Sequence, residues 1–155
     1  MDFRVSGLPL APFAPLFSLT DEELAARQIV RRIADERPGF PCRVSLKDAE
    51  PGERLLLLNY EHLSVASPYR ATHAIYVREQ ATEARPEVNE IPEVLAVRLL
   101  SLRAFDDAGM MRSADVVHGK DIVPVIERMF GDEQVAYIHV HNAKPGCFAA
   151  RIDRA

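Results

Sequence analysis

The stretch Tyr137-Ile-His-Val-His-Asn-Ala-Lys-Pro-Gly-Cys-Phe-Ala-Ala-Arg151 predicts a β-hairpin whose two strands flank a turn from Asn142 to Gly146. Side chains alternate along a strand, so His139 and His141 point to the same face. The turn places His141 opposite Cys147, and directly opposed Cβ atoms lie roughly 4.5 to 5.5 Å apart. The hairpin is therefore predicted to bring two imidazoles and a thiol together.

This register divides the hairpin into two faces. The face that could carry chemistry consists of Tyr137, His139, His141, Cys147, Arg151 and Asp153. The other face, expected to point into the core, collects Ile138, Val140, Phe148, Ala150 and Ile152. A slip of one residue would move Cys147 to the side opposite the histidines, because the side-chain period of a strand is two.

Two kinds of site fit the first face. In one, Cys147 is a catalytic nucleophile and His141 removes its proton or orients it, since the thiolate is the reactive form. In the other, His139, His141 and Cys147 bind a transition metal, with zinc favoured by these ligand types and one position left open for water. The spacing His-x-His-x5-Cys matches no standard zinc motif. A third interpretation is a solvent-exposed polar face without chemistry.

A second group of candidates follows the run Ser67-Pro68-Tyr69-Arg70. The guanidinium of Arg70 suits a carboxylate or phosphate, and Arg43 is a second candidate for the same ligand. These residues predict binding of a small anionic molecule, in a pocket between the hairpin and the loop that carries Arg70. The alternative is that Arg70 pairs with a surface acid and Tyr69 packs. His62 follows a predicted strand and has no assigned partner.

Composition limits the classes of function. The 155 residues fit a single domain, and the net charge of -4 gives no general attraction to nucleic acid or to an anionic membrane. The longest run of large apolar side chains, Leu55 to Leu58, is far shorter than a membrane helix. The start of the chain lacks the features of a signal peptide, so a cytoplasmic protein with reduced Cys42 and Cys147 is expected. Phosphate-loop, dinucleotide, Cys-x-x-Cys and His-Glu-x-x-His motifs do not occur.

The pattern along the chain predicts an α+β domain with a mostly antiparallel sheet of about six to seven strands and two main helices. One helix starts at a capping box, Thr20 to Glu23, and continues through Ile33 to a stop at Pro38-Gly39. The other runs from Asp121 to Gly131. A proline-rich N-terminal arm, residues 1–19, is expected to pack on the core, or alternatively on a homodimer partner. The predicted strands are 42–46, 54–60, 73–78, 94–105, 110–117, 134–141 and 147–153.

Five short runs occur in a recognisable order: Cys42-Arg43-Val44-Ser45, Gly52-Glu53, Ser67-Pro68-Tyr69-Arg70, His141-Asn142 and Gly146-Cys147-Phe148. Together they resemble the bacterial domain-of-unknown-function family 1203, over nearly the whole chain. The resemblance implies a small, stand-alone, cytoplasmic bacterial protein, and it implies no activity. It maps the motif onto Cys42, Arg43, Tyr69, Arg70, His141, Asn142 and Cys147.

Three hypotheses follow. The first is a small-molecule enzyme or anion-binding protein centred on Cys147, with His141 as base or orienting group. Its ligand-binding residues are Arg43, Tyr69, Arg70 and Asn142. The second is the zinc site of His139, His141 and Cys147. The third is a non-catalytic module that presents the arm or the hairpin to a protein partner.

Overall fold

Eight strands in two antiparallel sheets form the framework of the computed structural model, which describes residues 1–155. The strands are β1 Phe3–Ser6, β2 Val30–Ile33, β3 Arg54–Leu63, β4 Ala71–Arg78, β5 Leu99–Phe105, β6 Met111–His118, β7 Tyr137–Asn142 and β8 Phe148–Arg154. The α-helices are α1 Asp21–Ala26, α2 Glu93–Ala96 and α3 Ile122–Phe130, and 3₁₀ turns span Ala14–Ser18 and Gly119–Asp121. No helix is long and apolar enough to cross a membrane.

The larger sheet has the strand order β1-β8-β7-β5-β6, and the smaller sheet has the order β2-β3-β4. The apolar residues of α3, which include Ile122 and Ile126, pack on one face of the larger sheet against Leu102 and Val140. Because β7 is the central strand, all six of its residues are buried. The face of β7 that carries histidines is therefore covered as well, and the expectation of a solvent-exposed polar face is wrong.

The α+β class with antiparallel pairing is confirmed, but the expected count of six to seven strands is too low. The N-terminal arm contains an edge strand, β1, in which Phe3 pairs opposite Arg154. The first helix ends at Ala26 instead of Pro38, because Gln28 takes a left-handed φ of 58°. The β-branched residues that follow then form β2, which pairs with β3.

Two further expectations about elements are wrong. The segment 42–46 is a turn, since the amide of Leu46 bonds the carbonyl of Cys42 and Leu46 has a φ of 51°. One isolated bridge, between Cys42 and Tyr76, joins this segment to β4. The segment 94–105 is not one strand either, because residues 93–96 form α2 directly after Pro92. The chain thus has three α-helices where two were expected.

The remainder of the N-terminal arm packs on the smaller sheet. Phe13 is buried with Leu56, Leu58 and Ile75, and Leu8 and Leu10 cover the same group of side chains. This arrangement agrees with packing of the proline-rich segment on its own core, where its apolar side chains leave water.

The capping box at the start of α1 is present as expected. The amide of Glu23 donates to Thr20 Oγ1 at 3.2 Å, and the amide of Thr20 donates to Glu23 Oε2 at 2.7 Å. We expect Thr20→Ala to lower the free energy of unfolding by about 1 kcal/mol, because the Glu23 amide loses its acceptor, Thr20 Oγ1. Urea denaturation measures this loss. Ser113→Ala, at an exposed residue of β6, is the control, and equal values for the two variants would contradict a contribution from the cap.

Candidate functional site

Four of the five histidines of the chain meet where the two sheets face each other. His62 Nδ1 lies 3.2 Å from His139 Nδ1, and His62 Nε2 lies 2.6 Å from His73 Nδ1. His141 completes the group, with its ring 5.1 Å from the rings of both His62 and His73. We call these four residues the histidine cluster. His62 and His73 come from the smaller sheet, and His139 and His141 come from the larger one.

A β-bulge places His62 in the cluster. The pairing of β3 with β4 is regular up to Glu61 opposite Thr72 and resumes at Leu63 opposite Ala71. His62 is therefore the extra residue of the bulge, and bulges redirect side chains in this way. The alternation of β7 brings His139 and His141 to the same side, as the sequence predicted.

A second bulge corrects the predicted register of the hairpin. Val140 pairs with Ala150, whereas His141 pairs with Phe148, so Ala149 is the extra residue. Phe148 therefore belongs to the histidine face and not to the core face. Its ring stacks on His62 at 4.8 Å with an interplanar angle of 8°. Cys147 does not lie opposite His141, because its carbonyl accepts the amide of Asn142.

The histidine cluster is electrically neutral at physiological pH. Burial lowers the pKa of His139 and of His141 to about 3, and it lowers the pKa of His62 to about 4. The pKa of His73 is also lowered, first by burial and then by nearby arginines. Each ring therefore keeps one nitrogen lone pair free of a proton.

Arg103 is the charged neighbour of the cluster. It lies opposite His139 in the pairing of β5 with β7, and its positive charge contributes to the lowered pKa values of all four histidines. Burial lowers the pKa of Arg103 itself. The half-buried guanidinium makes no hydrogen bond or ion pair within the chain. It therefore offers unused donors beside the cluster.

Cys147 belongs to a separate arrangement centred on Arg43. The Arg43 side chain is 2% exposed, and its Nη2 donates to Cys147 Sγ at 2.9 Å. Its Nε donates to the carbonyl of Phe148 at 2.7 Å, and its Nη1 donates to the carbonyl of Pro41. Burial lowers the pKa of Arg43, and negative charge on Cys147 opposes that change. No carboxylate contacts Arg43, so the Cys147 thiol is the one acidic group bonded to it.

Arg43, Asn142 and Cys147 line a cleft of about 800 Å³, together with His73, Arg98 and Lys144. Asn142 Nδ2 donates to Cys147 Sγ at 3.6 Å, while its buried Oδ1 has no hydrogen-bond partner. His141 does not line the cleft, and its Nδ1 donates to the carbonyl of Gly146 at 3.0 Å. The cleft thus combines a thiol with several positively charged side chains.

The loop with Tyr69 and Arg70 is not part of this cleft. Arg70 forms an exposed ion pair with Glu61. The ring of Tyr69 packs edge-on against Phe105 at 5.9 Å. The structure thus brings Arg43, Asn142 and Cys147 together, with His141 adjacent, and leaves Tyr69 and Arg70 elsewhere.

The group of residues that could bind a metal ion also differs from the predicted one. Ligand atoms of His62, His139 and His141 all lie within 4.8 Å of one another, and Cys147 is not among them. Sequence reasoning missed His62 because a bulge has no alternation to reveal it. The one available signal was that His62 lies near the end of one strand and His73 near the start of the next, which brings them close together in an antiparallel pair.

Residues 39–154 match the family described as "Protein of unknown function (DUF1203)". This range contains the histidine cluster, Arg43, Asn142 and Cys147. No curated protein and no solved structure matches the chain. Since the match covers most of the chain, the protein belongs to this family of unknown function, as its resemblance indicated.

Proposed function

We propose that the cleft binds a small anionic molecule and that Cys147 is the group that reacts with it. The observation that carries this proposal is the contact between Cys147 Sγ and Arg43 Nη2 at 2.9 Å. A guanidinium stays protonated in proteins, and a buried charge is costly unless an opposite charge compensates it. The thiol of Cys147 supplies that charge when it ionises, so Arg43 favours the nucleophilic thiolate.

The charges around the cleft favour an anionic ligand. Lys144 is exposed at the rim and makes no ion pair. Arg98 is held by Asp48, with its two terminal nitrogens 2.6 and 2.8 Å from the carboxylate oxygens, so its charge is balanced. Glu36 is the acidic residue of the lining. While the Cys147 thiol is neutral, Arg43 and Lys144 outweigh Glu36 and leave the lining positive. Once the thiolate balances Arg43, Lys144 is the positive charge at the rim that attracts an anion at short range.

Asn142 and His141 have supporting roles. The Asn142 Oδ1 is buried without a partner, which costs about 1 to 3 kcal/mol. Its Nδ2 donates to Cys147 Sγ at 3.6 Å and helps to fix the position of the sulfur. His141 bonds the carbonyl of Gly146 and holds the turn next to Cys147. It does not contact the sulfur, so we assign it as an orienting group and not as a base.

The chemistry follows from these positions. The Cys147 thiolate donates an electron pair to an electrophilic carbon of the ligand and forms a carbon–sulfur bond. The bond from that carbon to its leaving group breaks, and the leaving group departs with the electron pair. In this step the thiol proton goes to solvent before the attack, and the Arg43 guanidinium faces the negative charge that forms on the sulfur.

Two alkylating reagents of different charge test this proposal. We expect Cys147 to react at pH 7 about tenfold faster than a free cysteine, because a free thiol is ionised to only a few per cent at that pH. The anionic iodoacetate should gain at least about threefold over neutral iodoacetamide, relative to free cysteine, from nearby positive charge. Peptide mass spectrometry measures both rates. Cys42, which is 1% exposed, is the internal control for intact folding.

Three variants show which residues cause the fast alkylation and the preference for iodoacetate. Lys144→Gln should reduce the preference for iodoacetate and leave the iodoacetamide rate unchanged, and Lys120→Gln, outside the cleft, is the matched control. Arg43→Met should slow both reagents, with folding checked by circular dichroism. The proposal is wrong if two results occur together. Cys147 would react no faster than free cysteine, and its ratio of the iodoacetate rate to the iodoacetamide rate would equal that of free cysteine.

A further inference from the structure

The histidine cluster contains three nitrogen ligands in an arrangement that suits a metal ion. His62 Nδ1 and His139 Nδ1 are 3.2 Å apart, and the ligand atoms of His62, His139 and His141 all lie within 4.8 Å of one another. Around tetrahedral zinc, with Zn–N distances of about 2.0 to 2.1 Å, two ligand nitrogens are about 3.4 Å apart. One pair already has about this spacing, and the ligand atom of His141 lies within 4.8 Å of both.

We infer that His62, His139 and His141 form a binding site for one divalent transition-metal ion, and that zinc is the ion that fits best. Neutral imidazole is a ligand that zinc accepts readily. Three protein ligands leave a fourth position for water or another small molecule. The site does not depend on Cys147 and is therefore independent of the proposed chemistry of the cleft.

In two of the three rings, the nitrogen that would not bind the ion makes a hydrogen bond that orients the ring. His141 Nδ1 donates to the carbonyl of Gly146 at 3.0 Å, which leaves its Nε2 without a proton. His62 Nε2 lies 2.6 Å from His73 Nδ1, so a proton on His62 Nε2 leaves its Nδ1 free to bind the ion. Metal-binding histidines generally donate their second nitrogen in this way. His73 is thus a positioning residue for His62.

The surroundings indicate what completes the coordination. The cluster has no carboxylate among its contacts, and the guanidinium of Arg103 lies beside it without a partner. A metal dication next to this arginine leaves an excess of positive charge in a partly buried place, which is costly. An anion in the fourth position, such as hydroxide or a carboxylate, reduces that charge and can accept hydrogen bonds from Arg103. His73 connects this site to the wall of the cleft.

Zinc titration of the chain without a histidine tag tests the site. The protein is treated with a chelator, the chelator is removed, and zinc chloride is added in competition with a chromogenic chelator. We expect one zinc ion per chain with a Kd below about 1 μM. Cobalt(II) in the same site should give the strong visible absorption of a four-coordinate ion without a sulfur-to-cobalt charge-transfer band.

Three variants identify the ligands. His62→Gln should weaken zinc binding by at least about 100-fold, since even partners outside the ligand set contribute about 10- to 100-fold. His73→Gln should weaken it by about tenfold. Cys147→Ser should leave the affinity unchanged, which separates this site from one built on His139, His141 and Cys147. Circular dichroism and urea denaturation establish that each variant is folded.

Each of three results would overturn the inference. One is the absence of saturable zinc binding at micromolar concentration by the folded wild-type chain. Another is unchanged affinity in folded His62→Gln. The third is loss of binding in folded Cys147→Ser, accompanied by a sulfur-to-cobalt band in the wild type, which would assign the ion to the thiol instead.

Discussion

Lowering the pH from about 7.5 to about 5 is expected to reduce the free energy of unfolding of the metal-free protein by about 4 kcal/mol. The reason is the burial of His139 and His141, which are 2% and 1% exposed. Their folded pKa is about 3, whereas an unfolded histidine has a pKa of 6.5. Each residue then contributes about 2 kcal/mol to the difference at pH 5.

The direction of this effect follows from proton binding. Below pH 6.5 the unfolded chain binds protons that the folded protein excludes, so acid favours unfolding. The contribution of the two histidines to stability is complete above pH 6.5 and is lost progressively as the pH falls toward their folded value of about 3. His62 is half-buried, so solvent screens its contribution, and the 4 kcal/mol refers to His139 and His141 alone.

Urea denaturation in the presence of a chelator, at several pH values between about 5 and 7.5, measures this dependence. His118→Asn, at an exposed histidine outside the cluster, is the matched control and should keep the wild-type slope. His141→Asn should lose about half of the slope. A stability that stays constant over this range would contradict the exclusion of protons from the cluster.

Phe148→Ala is expected to lower the free energy of unfolding by about 3 to 5 kcal/mol. The Phe148 ring is 2% exposed, stacks on His62, and meets His139 edge-on at 5.0 Å. Its removal leaves a cavity between the sheets and also removes aromatic contacts worth about 0.5 to 1.5 kcal/mol for a pair.

The matched control is Tyr69→Ala, because Tyr69 is also an aromatic residue in an edge-on pair but is 39% exposed. It should cost about 1 kcal/mol or less. Urea denaturation at pH 7.5 compares the two variants. Equal costs would show that Phe148 does not fill the space between the sheets.

The sequence allowed the central part of the fold to be predicted where the side-chain alternation is regular. The strands around His139 and Ile152 were expected within a few residues of their observed bounds, because apolar and polar side chains alternate there. The bulge at Ala149 could not be expected, since an inserted residue leaves the composition of a strand unchanged. That one residue moved Phe148 to the histidine face and separated Cys147 from His141.

The candidate site was predicted in part for a related reason. His139 and His141 are two residues apart, so their common face follows from strand geometry. His62 and Arg103 reach them only through the packing of one sheet on the other and the order of the strands, which local patterns do not encode. Arg43 was named as a candidate, but its contact with Cys147 spans 104 positions in the chain and has no local signature.

That long separation has a consequence for the kinetics of folding. Arg43 and Cys147 are 104 positions apart, and Phe3 and Arg154 close a loop of nearly the whole chain. The closure of such large loops is slow compared with the formation of a helix or a hairpin. An intermediate that contained only the β3–β4 or only the β7–β8 pair would hold neither the Arg43–Cys147 contact nor the complete histidine cluster. Thiol reactivity and metal affinity should therefore both require the two sheets to have packed together.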